Sequence, residues 1–103
     1  MIVEKRKPHY DLEAFKAAFS TVKGLNATLT AAADAQALGF SRSGMVEVLQ
    51  AMKTGHFYKS MTSHADHKVW QDVYHVPWAD LVLYVKFTED RITAFRLLSF
   101  KER

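Results

Sequence analysis

The spacing of the apolar residues changes near residue 56, and this change constrains the fold more than any other feature. Before it, apolar residues recur every three or four positions, which is the period of one helix face. After it, residues 81–88 follow a period of two, with one side formed by Leu81, Leu83, Val85 and Phe87. This alternation is typical of a half-buried strand. The sequence therefore predicts an α+β fold, with helices first and a sheet after them.

Capping residues divide the first half of the chain into two or three helices. Asp11 is a good N-cap for the first helix, and Gly24 is expected to end it. A second, alanine-rich helix is predicted from about residue 30 to residue 38. Ser41 can cap a third helix, which would end at Gly55. The predicted buried positions are Leu12, Phe15, Phe19 and Val22 in the first helix and Met45, Val48, Leu49 and Met52 in the third.

The remaining segments complete this architecture. Residues 1–10 contain a proline that disfavours helix, so we expect an extended arm or a short edge strand there. Beyond residue 56 we expect a four-stranded antiparallel meander of two hairpins. The first hairpin covers residues 57–74, and Pro77 marks the loop that joins it to the second. The second hairpin is expected to turn at Glu89 and Asp90, although these residues lack the preferred Asn-Gly chemistry.

Composition narrows the class of protein. The 103 residues fit a single domain, residues 1–103. The absence of cysteine excludes disulfides and thiolate metal sites. No apolar run approaches the roughly 18 residues of a membrane span, and the first residues lack the apolar segment of a signal peptide. We therefore expect a cytoplasmic protein without a membrane partner. The net charge of +3 and the pI of about 9.3 weakly favour polyanionic partners.

Strand periodicity predicts which polar side chains share a face. If His64, Ala65 and Asp66 form a three-residue turn, Lys59 lies directly opposite Gln71. A two-residue turn would instead send Gln71 to the other face. In the second hairpin, the predicted turn leaves Leu83 and Val85 on the core side with Ala94 and Leu98. It places Tyr84 on the opposite face with Phe95, Leu97, Ser99 and Lys101.

A face with Lys59, Gln71, Tyr84 and Lys101 suits cleavage of a phosphodiester in RNA. Lysine can stabilise the phosphorane or act as a base, tyrosine can transfer a proton or stack on a base, and glutamine can position the phosphate. The simpler alternative, which the residues alone favour, is a solvated sheet face. His64 and His67 could bind a metal ion, or Asp66 and His67 could stabilise a turn by local hydrogen bonds. His56 and His75 could be general acids, but such histidines are usually just exposed.

Several segments, in order along the chain, strongly resemble the MqsR family, the motility quorum-sensing regulator toxins of bacterial toxin–antitoxin pairs. The resemblance covers nearly the whole chain and is sharpest from residue 57 to residue 74 and at the C-terminus. The segments are Glu4-Lys5-Arg6 with Pro8-His9, Phe57-Tyr58-Lys59-Ser60-Met61-Thr62, Asp66-His67, Trp70-Gln71-Asp72-Val73-Tyr74, Tyr84-Val85-Lys86 and Ser99-Phe100-Lys101-Glu102.

The resemblance implies a RelE-like α+β fold and a sequence-selective mRNA endoribonuclease that uses no metal or other cofactor. It implies GCU-like cleavage sites and an inhibitory MqsA-type antitoxin as partner. The matching catalytic positions are Lys59, Gln71, Tyr84 and Lys101, and RNA would also be bound by Lys86, Lys68, Lys5, Arg6 and Lys7. The alternative is a module that binds RNA or a partner without cutting, such as an inactive toxin or a repressor subunit.

Overall fold

A computed structural model describes residues 2–103, in which one antiparallel sheet has its five strands in sequential order. The predicted α+β class is confirmed. The strands are β1 (Glu4–Lys5), β2 (Phe57–Thr62), β3 (Trp70–Trp78), β4 (Leu81–Asp90) and β5 (Ala94–Glu102). The sheet has five strands rather than four because the N-terminal arm is itself an edge strand, paired with β2.

Three helices pack on one face of this sheet: α1 (Leu12–Ala18), α2 (Leu29–Ala37) and α3 (Arg42–Ala51). The predicted caps are confirmed at Asp11, which accepts from the Glu13 N–H, and at Ser41, which accepts from the Gly44 N–H. Two predicted helix ends are wrong. α1 stops before Gly24, and α3 stops before Gly55, because each glycine belongs to a separate 3-10 turn.

The core lies between the helices and the sheet face that they cover. Its centre is aromatic: Phe15 of α1 stacks on Phe87 of β4 with 3.7 Å between ring centroids. The buried positions predicted for α3 are confirmed. Val22, predicted to be buried in the first helix, is instead 42% exposed, because α1 ends before it. The sheet contributes Tyr74, Val76, Leu83, Val85, Phe87, Leu97 and Phe100 to the core. Since side chains alternate along strands, the residues between these point away from the helices.

The hairpin between β2 and β3 has a longer turn than the sequence suggested. Lys59 pairs with Val73, and Met61 pairs with Gln71, so the predicted three-residue turn is wrong. The Ser63 N–H donates to the Val69 carbonyl, which closes a loop of five residues between them. Lys59 and Gln71 still share a face, but they are diagonal neighbours rather than directly opposite.

The hairpin between β4 and β5 also departs from its predicted register. Glu89 and Asp90 belong to β4, and the turn is formed by residues 91–93, so the predicted two-residue turn is wrong. A bulge between Lys86 and Phe87 leaves Leu98 without a partner in β4. As a result, Leu97 belongs to the core and Phe95 packs against it, although both were predicted to share the face of Tyr84. Ala94, predicted to lie on the core side, is exposed.

The loop that joins the two hairpins is shorter than predicted. Pro77 lies within β3 and pairs with Val82, so it does not mark a loop. Trp78 pairs with Leu81, which leaves a connection of only two residues, the first of which has a φ angle of 54°. β3 and β4 therefore form a hairpin of their own, and the sheet is one continuous meander from β2 to β5.

A buried carboxylate fixes the N-terminal arm to the sheet. Asp72 of β3 is fully buried and accepts hydrogen bonds from the backbone N–H groups of His9 and Tyr10, at 3.0 and 2.9 Å. The Tyr10 hydroxyl donates to the Trp70 carbonyl at 2.8 Å, beside this carboxylate. Buried backbone donors need such partners, because leaving one unpaired is costly.

We predict that Asp72→Ala lowers the free energy of unfolding by about 2–3 kcal/mol, because two backbone donors lose a charged acceptor. Urea unfolding followed by circular dichroism measures this. The control is Asp80→Ala, which removes an exposed carboxylate that accepts no hydrogen bond within residues 2–103. The control should differ from wild type by less than about 0.5 kcal/mol. Equal effects of the two substitutions would contradict the anchoring role of Asp72.

Candidate functional site

The face of the sheet that points away from the helices carries a cluster of basic and aromatic side chains. Two rows of cross-strand neighbours build it. In one row Lys59, Val73, Lys86 and Ser99 are successive partners across β2 to β5. In the next row His75, Tyr84 and Lys101 are successive partners across β3 to β5. We call this cluster the lysine–tyrosine face and define it as Tyr58, Lys59, His75, Tyr84, Lys86 and Lys101.

A bulge in β2 brings Tyr58 onto the lysine–tyrosine face. The register shifts between Phe57 and Lys59, so two consecutive side chains escape strict alternation. Phe57 packs edge-on against Tyr74 of the core, whereas Tyr58 stacks on His75 with 4.1 Å between ring centroids. The Lys59 ammonium lies 5.5 Å from the centroid of the Tyr58 ring. The bulge thus gives the face an aromatic side chain that simple alternation would not.

Lys59 is held in its charged form by a carboxylate from the N-terminal strand. Its ammonium lies 2.6 Å from the carboxylate of Glu4, and the Lys59 side chain is only 19% exposed. The hydrogen bond to Glu4 raises the pKa of Lys59 above its ordinary value, against the opposing effect of burial. At neutral pH Lys59 is therefore a fixed positive charge rather than a proton acceptor.

Tyr84 lies between two lysines and stays protonated. Burial raises the pKa of its phenol, while the nearby charge of Lys59 acts in the opposite direction. The Lys101 ammonium lies 5.4 Å from the centroid of the Tyr84 ring, a cation–π arrangement. Tyr84 is thus a neutral hydroxyl donor beside positive charge.

Lys86 and His75 are both pushed toward their neutral forms. Burial lowers the pKa of the Lys86 ammonium, and the positive charges of Lys101 and Lys59 lower it further. Burial also lowers the pKa of His75, with the charges of Arg103 and Lys59 adding to the effect. These shifts indicate a partly desolvated surface on which positive charges repel one another, so an anion placed there would be stabilised.

The structure brings Lys59, Tyr84, Lys86 and Lys101 together, as four of the predicted site residues. Gln71 shares their side of the sheet but lies one row away, opposite Met61, and is 7% exposed. Its amide makes no hydrogen bond within residues 2–103, so it is not committed to another partner.

The other predicted RNA-binding residues are spread around the face. Arg6 is adjacent to it, with its guanidinium donating to the Tyr58 carbonyl at 3.3 Å. Lys5 points to the other side of the edge strand, where its ammonium lies 4.2 Å from the Trp70 ring centroid. Lys7 and Lys68 are exposed outside the cluster.

Sequence reasoning missed Glu4, Tyr58 and Arg103 as members or neighbours of the face, and it set His75 aside. Glu4 and Lys59 are 55 residues apart, so no local pattern connects them. Tyr58 depends on a bulge whose position the period of two does not reveal. His75 could have been found from the register, because it is the cross-strand partner of Tyr84.

The histidine pair between β2 and β3 lies in the exposed loop. Asp66, its potential third ligand, uses a carboxylate oxygen to accept from the Lys68 N–H at 2.9 Å, which confirms the predicted turn-stabilising role for Asp66. Within residues 2–103 no group of three or more His, Cys, Asp or Glu side chains is placed to hold a metal ion. No helix in this same part of the chain is long and apolar enough to cross a membrane.

The fold and the site together define an α+β protein with a basic, aromatic binding face on the uncovered side of an antiparallel sheet. Such a face can hold a phosphodiester, present fixed positive charge to it and donate a proton from a neutral phenol.

Comparison with known proteins places this arrangement in a family. Residues 7–102 match the family described as motility quorum-sensing regulator, toxin of MqsA. The mRNA interferase toxin MqsR of Escherichia coli (strain K12) is 36% identical over 101 residues, which cover 98% of this chain and 100% of the relative. The chain therefore belongs to the MqsR toxin family, and the resemblance stated from the sequence is confirmed.

We predict that Glu4→Gln lowers the pKa of Lys59 toward its ordinary value of 10.5, because the charged acceptor is lost. An NMR titration of the lysine side chain measures this. Glu13→Gln is the matched control, since Glu13 pairs with Lys16 on α1 at 3.9 Å. An unchanged Lys59 pKa in Glu4→Gln would contradict the assignment.

The ion pair between Lys59 and Glu4 stabilises the fold only within a certain range of pH. Because the folded pKa of Lys59 is raised, the contribution of the pair is complete below the unfolded value of 10.5 and is lost as pH rises through the folded pKa. Because the folded pKa of Glu4 is lowered, the contribution is complete above 4.5 and is lost as pH falls through the folded pKa.

Proposed function

We propose that this chain, as one MqsR-like toxin domain, is a sequence-selective endoribonuclease that cleaves mRNA at GCU-like sites. Its family membership supports the reaction class. The observation that carries the proposal is the convergence of Lys59, Tyr84, Lys86 and Lys101 on one partly desolvated sheet face. RNA lies across this face, with its phosphates against the lysines and a base against the exposed Tyr58 ring.

The lysines supply electrostatic stabilisation. The phosphorane that forms during cleavage carries more negative charge than the phosphodiester, so fixed positive charge favours the transition state over the ground state. Lys59 is the best placed for this role, because its side chain is only 19% exposed and its ammonium is held in position by Glu4 at 2.6 Å. Lys101 and Lys86 add to the field from the two strands beyond β3.

Tyr84 donates the proton that the leaving 5′-oxygen needs. Its raised pKa keeps the phenol neutral, and the neighbouring Lys59 and Lys101 stabilise the negative charge that develops on it during the transfer. The 2′-hydroxyl attacks in line with the leaving oxygen, which yields a 2′,3′-cyclic phosphate and a 5′-hydroxyl. Gln71, one row away, positions the scissile phosphate or an adjacent base edge. The reaction requires no metal ion or other cofactor.

The remaining basic residues guide the RNA. Arg6 extends the positive surface at the edge of the face, and Lys7 and Lys68 are exposed where they can meet phosphates outside the cleaved step. Lys5, on the other side of the edge strand, contributes through the long-range field rather than through direct contact.

An MqsA-type antitoxin neutralises the toxin, as the family description implies by naming it a toxin of MqsA. We place the action in the bacterial cytoplasm, where mRNA is translated. Toxicity then follows from the loss of intact messages, so growth should stop when the chain is produced without its antitoxin.

We predict that an RNA with a single 2′-deoxyribose at the cleavage site resists cutting, because the attacking hydroxyl is absent. A 5′-labelled oligonucleotide pair, ribose against deoxyribose, resolved on a denaturing gel measures this. Cleavage of the ribose substrate should persist in EDTA. Normal cutting of the deoxyribose substrate would contradict 2′-hydroxyl attack, and loss of cutting in EDTA would contradict metal independence.

We predict that Lys59→Ala reduces the cleavage rate by about 10²–10³-fold, because one fixed charge at the phosphorane is lost. Growth arrest on expression should disappear with it. Lys23→Ala is the control, because Lys23 is exposed in the 3-10 turn after α1 and the substitution removes the same charge. If wild type and Lys59→Ala are both folded and neither cuts RNA nor stops growth, the chain is a binding module and the enzyme proposal is wrong.

A further inference from the structure

His75 occupies the centre of the lysine–tyrosine face, and the proposed mechanism assigns it no role. It is the direct cross-strand partner of Tyr84, with 6.0 Å between the two ring centroids. On its other side the ring stacks on Tyr58 at 4.1 Å with an angle of 21° between the planes. The imidazole is therefore held between two aromatic residues, half-buried, with a defined orientation.

The groups around His75 come from every strand that packs against it. β2 provides Tyr58 and Lys59, and β4 provides Tyr84. Arg103, whose backbone N–H donates to the Val82 carbonyl after β5, adds a positive charge. The neighbouring carboxylate of Glu4 is engaged by Lys59 at 2.6 Å. No carboxylate contacts the imidazole within residues 2–103, so its immediate charged neighbours are positive.

Cleavage by a 2′-hydroxyl needs a proton acceptor, and the two residues of the face that the mechanism already uses, Lys59 and Tyr84, are poor ones. Lys59 is kept protonated by Glu4, and Tyr84 is kept protonated by burial. Histidine is the side chain whose ordinary pKa lies nearest to physiological pH. Burial and the charges of Arg103 and Lys59 hold the pKa of His75 below its ordinary 6.5, so the neutral, proton-accepting form prevails at pH 7.

We propose that the imidazole of His75 is the general base that activates the attacking 2′-hydroxyl, as the partner of Tyr84 in one row of the sheet. This inference rests on the proposed function and deepens it. The 2′-oxygen attacks the same phosphorus to which the leaving 5′-oxygen is bonded. Two groups on adjacent strands, each reaching about 3 Å to its oxygen, can therefore serve both ends of one displacement.

The step balances without a further reactant. The neutral nitrogen of His75 takes the proton of the 2′-hydroxyl as the bond from the 2′-oxygen to phosphorus forms. The bond from phosphorus to the 5′-oxygen breaks, and that oxygen takes the proton of the Tyr84 hydroxyl. The charges of Lys59 and Lys101 stabilise the phosphorane between them. The imidazolium then returns its proton to the Tyr84 phenolate, directly or through water, which restores both groups.

The test is the pH dependence of the second-order rate constant for cleavage, with enzyme in excess but below saturation, of an oligoribonucleotide that contains one cleavage site, because this constant reports the pKa of the free enzyme. In wild type, the rate should rise tenfold per pH unit below the pKa of His75 and level off above it. The midpoint should coincide with the His75 pKa measured on the same protein by NMR. A midpoint that differs from that pKa would overturn the proposal without recourse to any variant.

Two variants separate proton transfer from packing. His75→Phe keeps the aromatic stacking on Tyr58, and His75→Gln keeps a polar group, but neither accepts a proton. Both should be slower by about 10²–10⁴-fold at pH 7 and should lose the acidic limb of the profile. His64→Gln, in the exposed loop between β2 and β3, is the matched control and should keep the wild-type profile.

The outcomes distinguish this inference from the proposed function. If wild type cuts RNA and a folded His75→Phe keeps the acidic limb or a rate within threefold of wild type, His75 is not the base and only this inference falls. If His75→Gln is slow but His75→Phe is not, the residue acts through stacking, and the inference is again overturned. If wild type itself cuts no RNA, the proposed function fails, and this inference fails with it.

Discussion

The hydrogen bonds that Asp72 accepts from the backbone of His9 and Tyr10 are the constraint on which the site depends. They fix the arm at the sheet, and the arm then pairs as β1 along β2. This pairing is what places Glu4 beside Lys59, and it also places Arg6 beside Tyr58. A buried carboxylate on the core face thus helps to place the Glu4 carboxylate that raises the pKa of Lys59 on the opposite face. The link between the two faces is the arm, whose strand β1 has two residues and whose Val3 also hydrogen-bonds with Thr62 of β2.

The two bulges explain how a regular sheet can carry so dense a cluster. Strict alternation would give each strand one side chain per row on the outer face. The bulge at Tyr58 adds a ring to the row of His75, and the bulge at Leu98 returns Ser99 and Lys101 to the outer face after Leu97 has joined the core. Bulges concentrate near functional surfaces because they redirect side chains at little cost to the rest of the ladder.

The period-two alternation predicted which side chains share a face of the sheet better than it predicted which residues pair across neighbouring strands. The pairing of Lys59 moved from Gln71 to Val73, two positions, and an even shift leaves every side chain on its predicted face. The cross-strand partner of Tyr84 moved from Phe95 to Lys101, which is again an even shift. Tyr84 and Lys101 therefore remained on the same face of the sheet, as predicted. Between the turn and the bulge, the observed register of β4 and β5 differs from the predicted one by an odd number of residues. For this reason the prediction assigned Leu97 to the wrong face. Turn length and bulges depend on loop hydrogen bonds and packing, which a sequence pattern does not encode.

The charge balance of the lysine–tyrosine face is suited to a phosphodiester. Burial lowers the pKa of Lys86, and the positive charges of Lys101 and Lys59 lower it further, whereas Lys59 has a carboxylate partner in Glu4. Positive side chains that are partly desolvated and mutually repulsive are unfavourable in the free protein, whereas a phosphodiester would relieve that repulsion. The relief is greatest for the species with most negative charge, which is the phosphorane rather than the intact RNA. Under the proposed function, such a face would favour the transition state over the bound RNA, and this is the property that a nuclease requires of its RNA-binding surface.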